Sequence, residues 1–316
     1  MGKLFDRIVT ISLNPALDVT LWIPSMDFNE PNKTTGEKLY AGGKAINIAR
    51  VLSSLGEDAI SLGVVGEDNS RMFTALLDQD HVHYDFIPVP GSIRENLTLV
   101  IPDRRVLKIN RSGCAVSREA MDALKKRILT EMEGCESVLL VFAGSMPPNI
   151  TPEAYKAFIL SLKRPGARIA VDTSIFRAED IEEISPFIIK PNLPEFRQMC
   201  GSSLPTEQSI IKSAQRMTGS VTHVLVSLGG KGLLYVNDSH TVRIMPDPVE
   251  VRSTIGAGDT TLAAFIYGLQ QGMEAAEAAV FGAAAGTASV MLDGTEVVTL
   301  EQVKERLSAV TSKTVR

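Results

Sequence analysis

Short runs rich in Val, Ile and Leu recur along the chain, and longer stretches between them return apolar residues every three or four positions. The runs predict strands over Ile8–Leu13, Ala59–Val65, Ser137–Ala143, Ala167–Asp172, Phe187–Lys190 and Thr222–Leu228. The periodic stretches predict helices over 44–55, 69–79, 117–132, 151–162, 206–218, 257–271 and 274–291. In the 257–271 stretch, Leu262, Phe265, Ile266 and Leu269 fall on one helical face, so a strongly amphipathic helix is expected there. Thr151 followed by Pro152 marks a helix start, with a capping hydroxyl before proline in the first turn. Strands alternating with helices imply an α/β fold whose mostly parallel sheet is covered on both faces.

Two stretches break this rhythm. Residues 17–41 read as short strands and turns, and residues 94–112 as a hairpin-like unit turning at Pro102–Asp103. Such strands do not easily join a central parallel sheet. They predict a small separate sheet over a site, or simple edge hairpins.

Composition narrows the class. The chain has 316 residues, 44% of them hydrophobic and 22% charged, with a net charge of −5. That is ordinary for a globular protein, and the acidic balance disfavours a nucleic-acid partner. Cys114, Cys135 and Cys200 lie far apart with no CxxC pair, so neither a disulfide scaffold nor a metal finger is expected. The odd cysteine count and the lack of a signal-peptide core in MGKLFDRIVTISL suit the cytoplasm. The uncharged stretch Ala278–Leu292 is short for a membrane span and reads as a buried helix.

The strongest chemical signal is Ser253-Thr254-Ile255-Gly256-Ala257-Gly258-Asp259-Thr260-Thr261 at the head of a helix. Glycines there permit a tight turn that aims main-chain N–H groups at one point, where the helix dipole favours an anion. Such donors suit the charge that spreads over a transferred phosphoryl group, and Asp259 beside them suits a general base. An aspartate in a first turn also suits a simple cap. No GK[ST] follows, so this is not a Walker A loop.

Four further segments carry candidate chemistry. In Ile189-Lys190-Pro191-Asn192-Leu193-Pro194-Glu195, Asn192 and Glu195 offer oxygens of the kind magnesium uses through water, and Lys190 suits a phosphate charge. The same residues fit a helix N-terminus with an asparagine cap and a capping-box glutamate. Val226-Ser227-Leu228-Gly229-Gly230-Lys231-Gly232 is a strand and a glycine-rich turn, before a second strand at Leu233–Val236, suited to a nucleotide or to a plain hairpin. Gly42-Gly43-Lys44-Ala45-Ile46-Asn47 opens another helix, and Asn47 and Asp18 suit sugar hydroxyls. Arg94, Lys33 and Ser145 are candidate binders of a sugar phosphate, the arginine through its planar fork.

NPALD, GGKAIN, REN, AGSMPP, VDTS, KPNLPE, VSLGGKG and TIGAGD occur in this order over roughly residues 7–298. Together they resemble the ribokinase-like carbohydrate kinases of the PfkB family, most closely its phosphosugar branch. The resemblance implies an α/β/α sandwich with a small β-sheet lid, spanning residues 1–316 as one kinase unit. It implies a homodimer formed through the lids, with no membrane or nucleic-acid partner. It implies ATP with Mg²⁺ as donor and a phosphorylated ketohexose as acceptor. Fructose 1-phosphate comes first; tagatose 6-phosphate and fructose 6-phosphate follow.

By motif, Asp259 would be the base and Gly256, Ala257 and Gly258 the anion hole. Lys190, Asn192, Ser227, Gly229 and Gly232 would hold ATP, with Glu195 and Asn192 toward the magnesium. Asp18, Gly43, Lys44 and Asn47 would hold the sugar, and Lys33, Arg94 and Ser145 its phosphate. The chain departs from the pattern at Ala45, where glycine is usual and a methyl is expected to crowd the sugar or shift the turn. It departs again at Asn149, where glycine is usual and a left-handed turn is expected to survive in asparagine. Thr260 and Met146 are milder changes. Two other classes compete. One is a catalytically silent sugar-phosphate sensor on this fold, which has no use for a base beside an anion hole. The other is a dinucleotide-dependent dehydrogenase, disfavoured because no GxGxxG follows the first strand.

Overall fold

The computed structural model describes residues 2–101 and 105–315. Its strands are β1 Arg7–Ser12, β2 Ala16–Trp22, β3 Gly36–Gly42, β4 Ala59–Gly66, β5 His83–Val89, β6 Arg94–Ile101 and β7 Arg105–Asn110. They continue with β8 Val138–Ala143, β9 Ala167–Asp172, β10 Ile188–Ile189, β11 His223–Ser227, β12 Leu233–Val236, β13 Thr241–Pro246 and β14 Val310–Thr314. Among the described residues, ten strands form one sheet in the order β5-β4-β1-β8-β9-β10-β11-β12-β13-β14. Neighbours from β5 to β11 run parallel, and β12 to β14 close that edge antiparallel.

The alternation of side chains along each strand builds two cores. Val9 and Ile11 of β1 join Leu140 and Phe142 of β8 on one face, beneath Leu124, Ile128, Phe158, Phe196 and Ile210 of the covering helices. Ile8, Leu139 and Val141 point the other way, toward Ile48, Leu262, Phe265 and the alanine-rich helix Ala275–Ser289. Both faces are covered, which is why these strands read as unbroken apolar runs. The result is the three-layer α/β/α sandwich. The Thr151 cap is present, its hydroxyl accepting from Ala154 N–H at 3.2 Å.

The second sheet has the order β3-β2-β6-β7, drawn from the two segments that break the helix–strand rhythm. Here β2 and β6 pair in parallel, setting Asp18 opposite Asn96. The turn expected at Pro102–Asp103 lies outside the described residues. A third apolar cluster, with Leu17, Ala41, Ile46, Phe73 and Ile93, glues this sheet to the sandwich.

Several elements differ from the sequence reading. The Phe187–Lys190 strand shortens to Ile188–Ile189 between Pro186 and Pro191, which have no N–H to give a ladder. Strands β5, β13 and β14 and helices Ala178–Ile184 and Leu300–Leu307 are additions, while the helix start read at Asn192–Glu195 opens the helix Leu193–Met199. The helix Ala257–Gln270 is not one-sided: every residue from Asp259 to Gln270 is buried. It packs against the helices Lys44–Ser54 and Ala275–Ser289 and shares one apolar core with Leu139, Val141 and Leu225 of the sheet, so it has no solvent face to make polar. Among the described residues, no helix is long and apolar enough to cross a membrane.

Candidate active site

The glycine turn sits at the C-terminal edge of the sheet, where open α/β sheets bind ligands. Gly256 caps the helix Ala257–Gln270 at φ 76°, a left-handed conformation that favours glycine. The first intrahelical bond runs from Thr260 N–H to Gly256 C=O at 2.8 Å. The N–H groups of Ala257, Gly258 and Asp259 precede it and have no carbonyl partner within the helix. A Cβ on Gly258 would lie 2.9 Å from Lys190 Nζ, so the absence of a side chain lets that ammonium reach the turn.

Asp259 is only 6% exposed, and its Oδ2 accepts from Asn47 Nδ2 at 2.8 Å. Burial, then the nearby Asp172 carboxylate, push its pKa up to about 7 against the pull of Lys44, Lys190 and Asn47. Asp172, at the end of β9, is the hub of this charge cluster. It takes Lys44 Nζ at 2.8 Å on one oxygen and Lys190 Nζ at 3.0 Å on the other. Burial favours its neutral form, but the two ammonium groups outweigh that and hold its pKa below the usual carboxylate range. Two carboxylates therefore share one buried neighbourhood with opposed tendencies, the pattern by which acid–base roles divide.

Lys190, Asn192, Glu195, Ser227, Gly229 and Gly232 line one cavity of about 620 Å³ that ends on Gly256, Ala257, Gly258 and Asp259. Its volume suits a nucleotide-sized ligand. Its outer walls are apolar, with Val249, Val251, Ala283 and Val290. The 190–195 segment forms the helix cap and also lines this cavity. Asn192 N–H donates to Glu195 Oε2 at 2.8 Å and Glu195 N–H to Asn192 Oδ1 at 2.9 Å, a complete capping box. The other glutamate oxygen, Oε1, meets Lys44 Nζ at 3.1 Å. Lys44, expected at the sugar, thus bridges Asp172 and Glu195 on the cavity wall.

The remaining residues gather outside that cavity. Gly43 is the N-cap residue of the Asn47 helix, so it sets where Asn47 projects toward Asp259. Asp18 accepts from Asn96 Nδ2 at 2.8 Å, and burial raises its pKa. Asn14 Nδ2 donates to Ser112 C=O, Met146 C=O and Ser145 Oγ at 3.0, 2.9 and 3.3 Å, tying three segments together. Burial lowers the Arg94 pKa, and its NH1 donates to Arg111 C=O at 3.3 Å. Arg94 Nε, Asn47 Oδ1 and Asn96 Oδ1 are buried without a partner. Lone buried polar atoms of this kind cost about 1–3 kcal/mol each, and here all three belong to candidate ligand-binding side chains or their neighbours. Lys33 lies exposed in the loop between β2 and β3, and among the described residues no hydrogen bond or ion pair joins it to Arg94 or Ser145.

Sequence grounds alone assign no role to Asp172, Asn14 or Asn96. Each is marked only by its place in VDTS, NPALD and REN, and two of them stand at or just beyond a parallel strand's C-terminal end. The departures are also resolved. The Ala45 methyl is fully buried in the core with Ala143 and Leu262. Asn149 adopts no left-handed conformation; its side chain instead accepts from Val116 N–H at 2.9 Å and donates to Val116 C=O at 2.8 Å.

Main-chain donors converge beside a buried carboxylate at the inner end of the cavity, which is the equipment of a phosphotransferase. The chain belongs to the pfkB family of carbohydrate kinases, whose family model matches residues 10–301, and it is a sugar kinase. It is 32% identical over 275 residues to the 1-phosphofructokinase of Vibrio cholerae, covering 85% of this chain and 84% of that one. It is 34% identical over 266 residues to the 1-phosphofructokinase of Escherichia coli, covering 83% and 84%. Phosphofructokinase-2 from Escherichia coli, solved in complex with substrates and products, superposes with a TM-score of 0.88 at 27% identity, covering 96% of this chain and 98% of that one.

Proposed function

We propose that this kinase transfers the γ-phosphoryl group of ATP to a ketohexose phosphate, fructose 1-phosphate first, giving fructose 1,6-bisphosphate and ADP. The observation that carries the reading is Asp259 held by Asn47 beside the amides of the Gly256 turn. The names of the sequence relatives support the choice of sugar. The alternative acceptors are tagatose 6-phosphate and fructose 6-phosphate, which leave the chemistry unchanged.

In this reading, ionised Asp259 takes the proton of the acceptor hydroxyl as its oxygen attacks the terminal phosphorus. The amides of Gly256, Ala257 and Gly258 take up charge on the transferred group. Lys190 and Lys44 balance the phosphates from the cavity wall. Asp18, Asn47 and Asn96 receive sugar hydroxyls, which supply the partners that the two asparagine carbonyls lack. Arg94 and Ser145 hold the sugar phosphate.

Magnesium fits as a hydrated ion. Both Glu195 oxygens already accept hydrogen bonds but keep lone pairs for water, and among the described residues no cluster of three metal-ligating side chains exists. When bound, the ion neutralises charge on the nucleotide phosphates.

A homodimer through the covering sheets is supported by Val106, Leu107 and Ile109 on β7, which are 51%, 44% and 45% exposed. Such a kinase would work in the cytoplasm, where ATP and sugar phosphates meet. The test is kcat/KM on fructose 1-phosphate, fructose 6-phosphate and tagatose 6-phosphate, with ADP release as readout. Fructose 1-phosphate should lead the panel. Binding of a sugar phosphate without ADP release from any of the three would replace the kinase with a sensor.

A further inference from the structure

The short segment Asp293–Glu296, just beyond the helix Ala275–Ser289, touches both the covering sheet and the glycine turn. Toward the sheet, Lys38 of β3 reaches Glu296 Oε1 at 2.6 Å and Asp293 Oδ2 at 3.3 Å. Tyr40, on the same strand, donates its hydroxyl to Glu296 Oε1 at 3.2 Å. Toward the core, Thr295 C=O accepts from the buried Arg50 NH1 at 3.0 Å, and Arg50 Nε is held by Asp80 Oδ2 at 2.5 Å. The Arg50 guanidinium also lies 5.4 Å from the centre of the Tyr40 ring. Toward the turn, Thr295 Cγ2 is 4.0 Å from the place a Cβ on Gly256 would take. Thr295, inside the segment, is therefore fixed in the sandwich, while Asp293 and Glu296 on either side grip a strand of the other sheet.

We propose that Glu296, with Lys38 and Tyr40, is a latch that holds the covering sheet against the glycine turn, so that sugar binding and the anion hole are set together. Glu296 is a positioning residue in this scheme; it acts through β3. The inference deepens the kinase reading above and rests on it. Lys38 and Glu296 are each 37% exposed. Half-exposed ion pairs are weak, so this contact can break and re-form while the apolar cluster under the sheet stays packed. With the latch broken, the cover spends more time open. Sugar phosphate then binds less tightly, and water reaches the nucleotide's terminal phosphate.

The experiment compares Lys38→Met, Glu296→Gln and the charge-preserving Lys38→Arg with the wild type, using the phosphosugar it turns over fastest. Both charge-removing variants should raise KM for the sugar by about three- to tenfold, the range expected of a half-exposed network. KM for ATP should stay within about twofold. ADP should exceed phosphorylated sugar in those variants and match it in the wild type and in Lys38→Arg. Amide hydrogen exchange over residues 36–42 should quicken in Lys38→Met. Unchanged sugar KM and unchanged exchange would overturn the latch. So would equal rises in both KM values with ADP and product still equimolar, because that marks a general structural defect. If the wild type turns over no phosphosugar, the kinase reading falls separately, and the exchange of residues 36–42 alone decides whether Lys38 holds β3.

Discussion

Replacing Asp172 by asparagine tests how the charge cluster tunes the base. In the free enzyme Asp259 titrates at about 7. Its ionised fraction is then roughly one half at pH 7 and one tenth at pH 6, so kcat/KM should fall about tenfold per unit on the acid side. A carboxylate at the ordinary 3.8 would leave the profile flat across that range. Asp172 raises Asp259 by its negative charge, and it occupies the ammonium groups of Lys44 and Lys190. The Asp172→Asn change removes that repulsion and leaves more positive charge facing Asp259. Both effects lower its pKa, so the acid limb should move to lower pH even if peak turnover drops. The assay is the rate from pH 5.5 to 8.5 with phosphosugar and MgATP both well below their KM values, the condition that samples the free enzyme. Ionisation of the substrates is common to both enzymes and cancels in their ratio, which should rise toward acid pH. A limb that stays in place or moves upward in the variant would refute the reasoning.

Arg94→Ala should raise KM for the phosphosugar by about 10–150-fold, the loss of charge-assisted bonds worth about 1.5–3 kcal/mol, with little change for ATP; equal effects on both substrates would exclude the phosphate role. Asp259→Asn should also stabilise the fold at alkaline pH. The raised pKa means that the native state holds the proton more tightly, a stabilisation complete below about 3.8 and lost as pH rises through about 7. The variant never ionises, so in thermal melts its Tm should exceed the wild type's at pH 8, and the gap should narrow toward pH 4. Gly258→Ala places a methyl 2.9 Å from Lys190 Nζ, the mobile end of a flexible side chain. Tm should change by less than about 4 °C while kcat/KM for ATP falls about tenfold, since the displaced group is the ammonium beside the anion turn.

What the sequence discloses follows from how local each signal is. The Gly256 turn and Asp259 are legible because turn, helix start and carboxylate are contiguous. The central strands are legible because burial on both faces leaves only apolar residues. Strand β14 is not, because VTSKT is an exposed edge strand with no apolar run. The all-round burial of the 257–270 helix depends on the neighbouring helices and cannot be read from its own periodicity. Asp172 marks the limit most clearly. Its partner Lys44 is 128 positions away, and no spacing rule pairs the two. Asn192 and Glu195 show the converse: the same two contiguous residues form the helix cap and line the cavity, so both features are local and legible.

The most direct test of the central claim is single-turnover phosphoryl transfer by Asp259→Asn, with ATP and fructose 1-phosphate both bound at saturation. Loss of the base should slow the chemical step by about 10²–10⁴-fold while both substrates still bind. A reduction of less than about tenfold would show that the proton leaves by another route and that Asp259 is not the base.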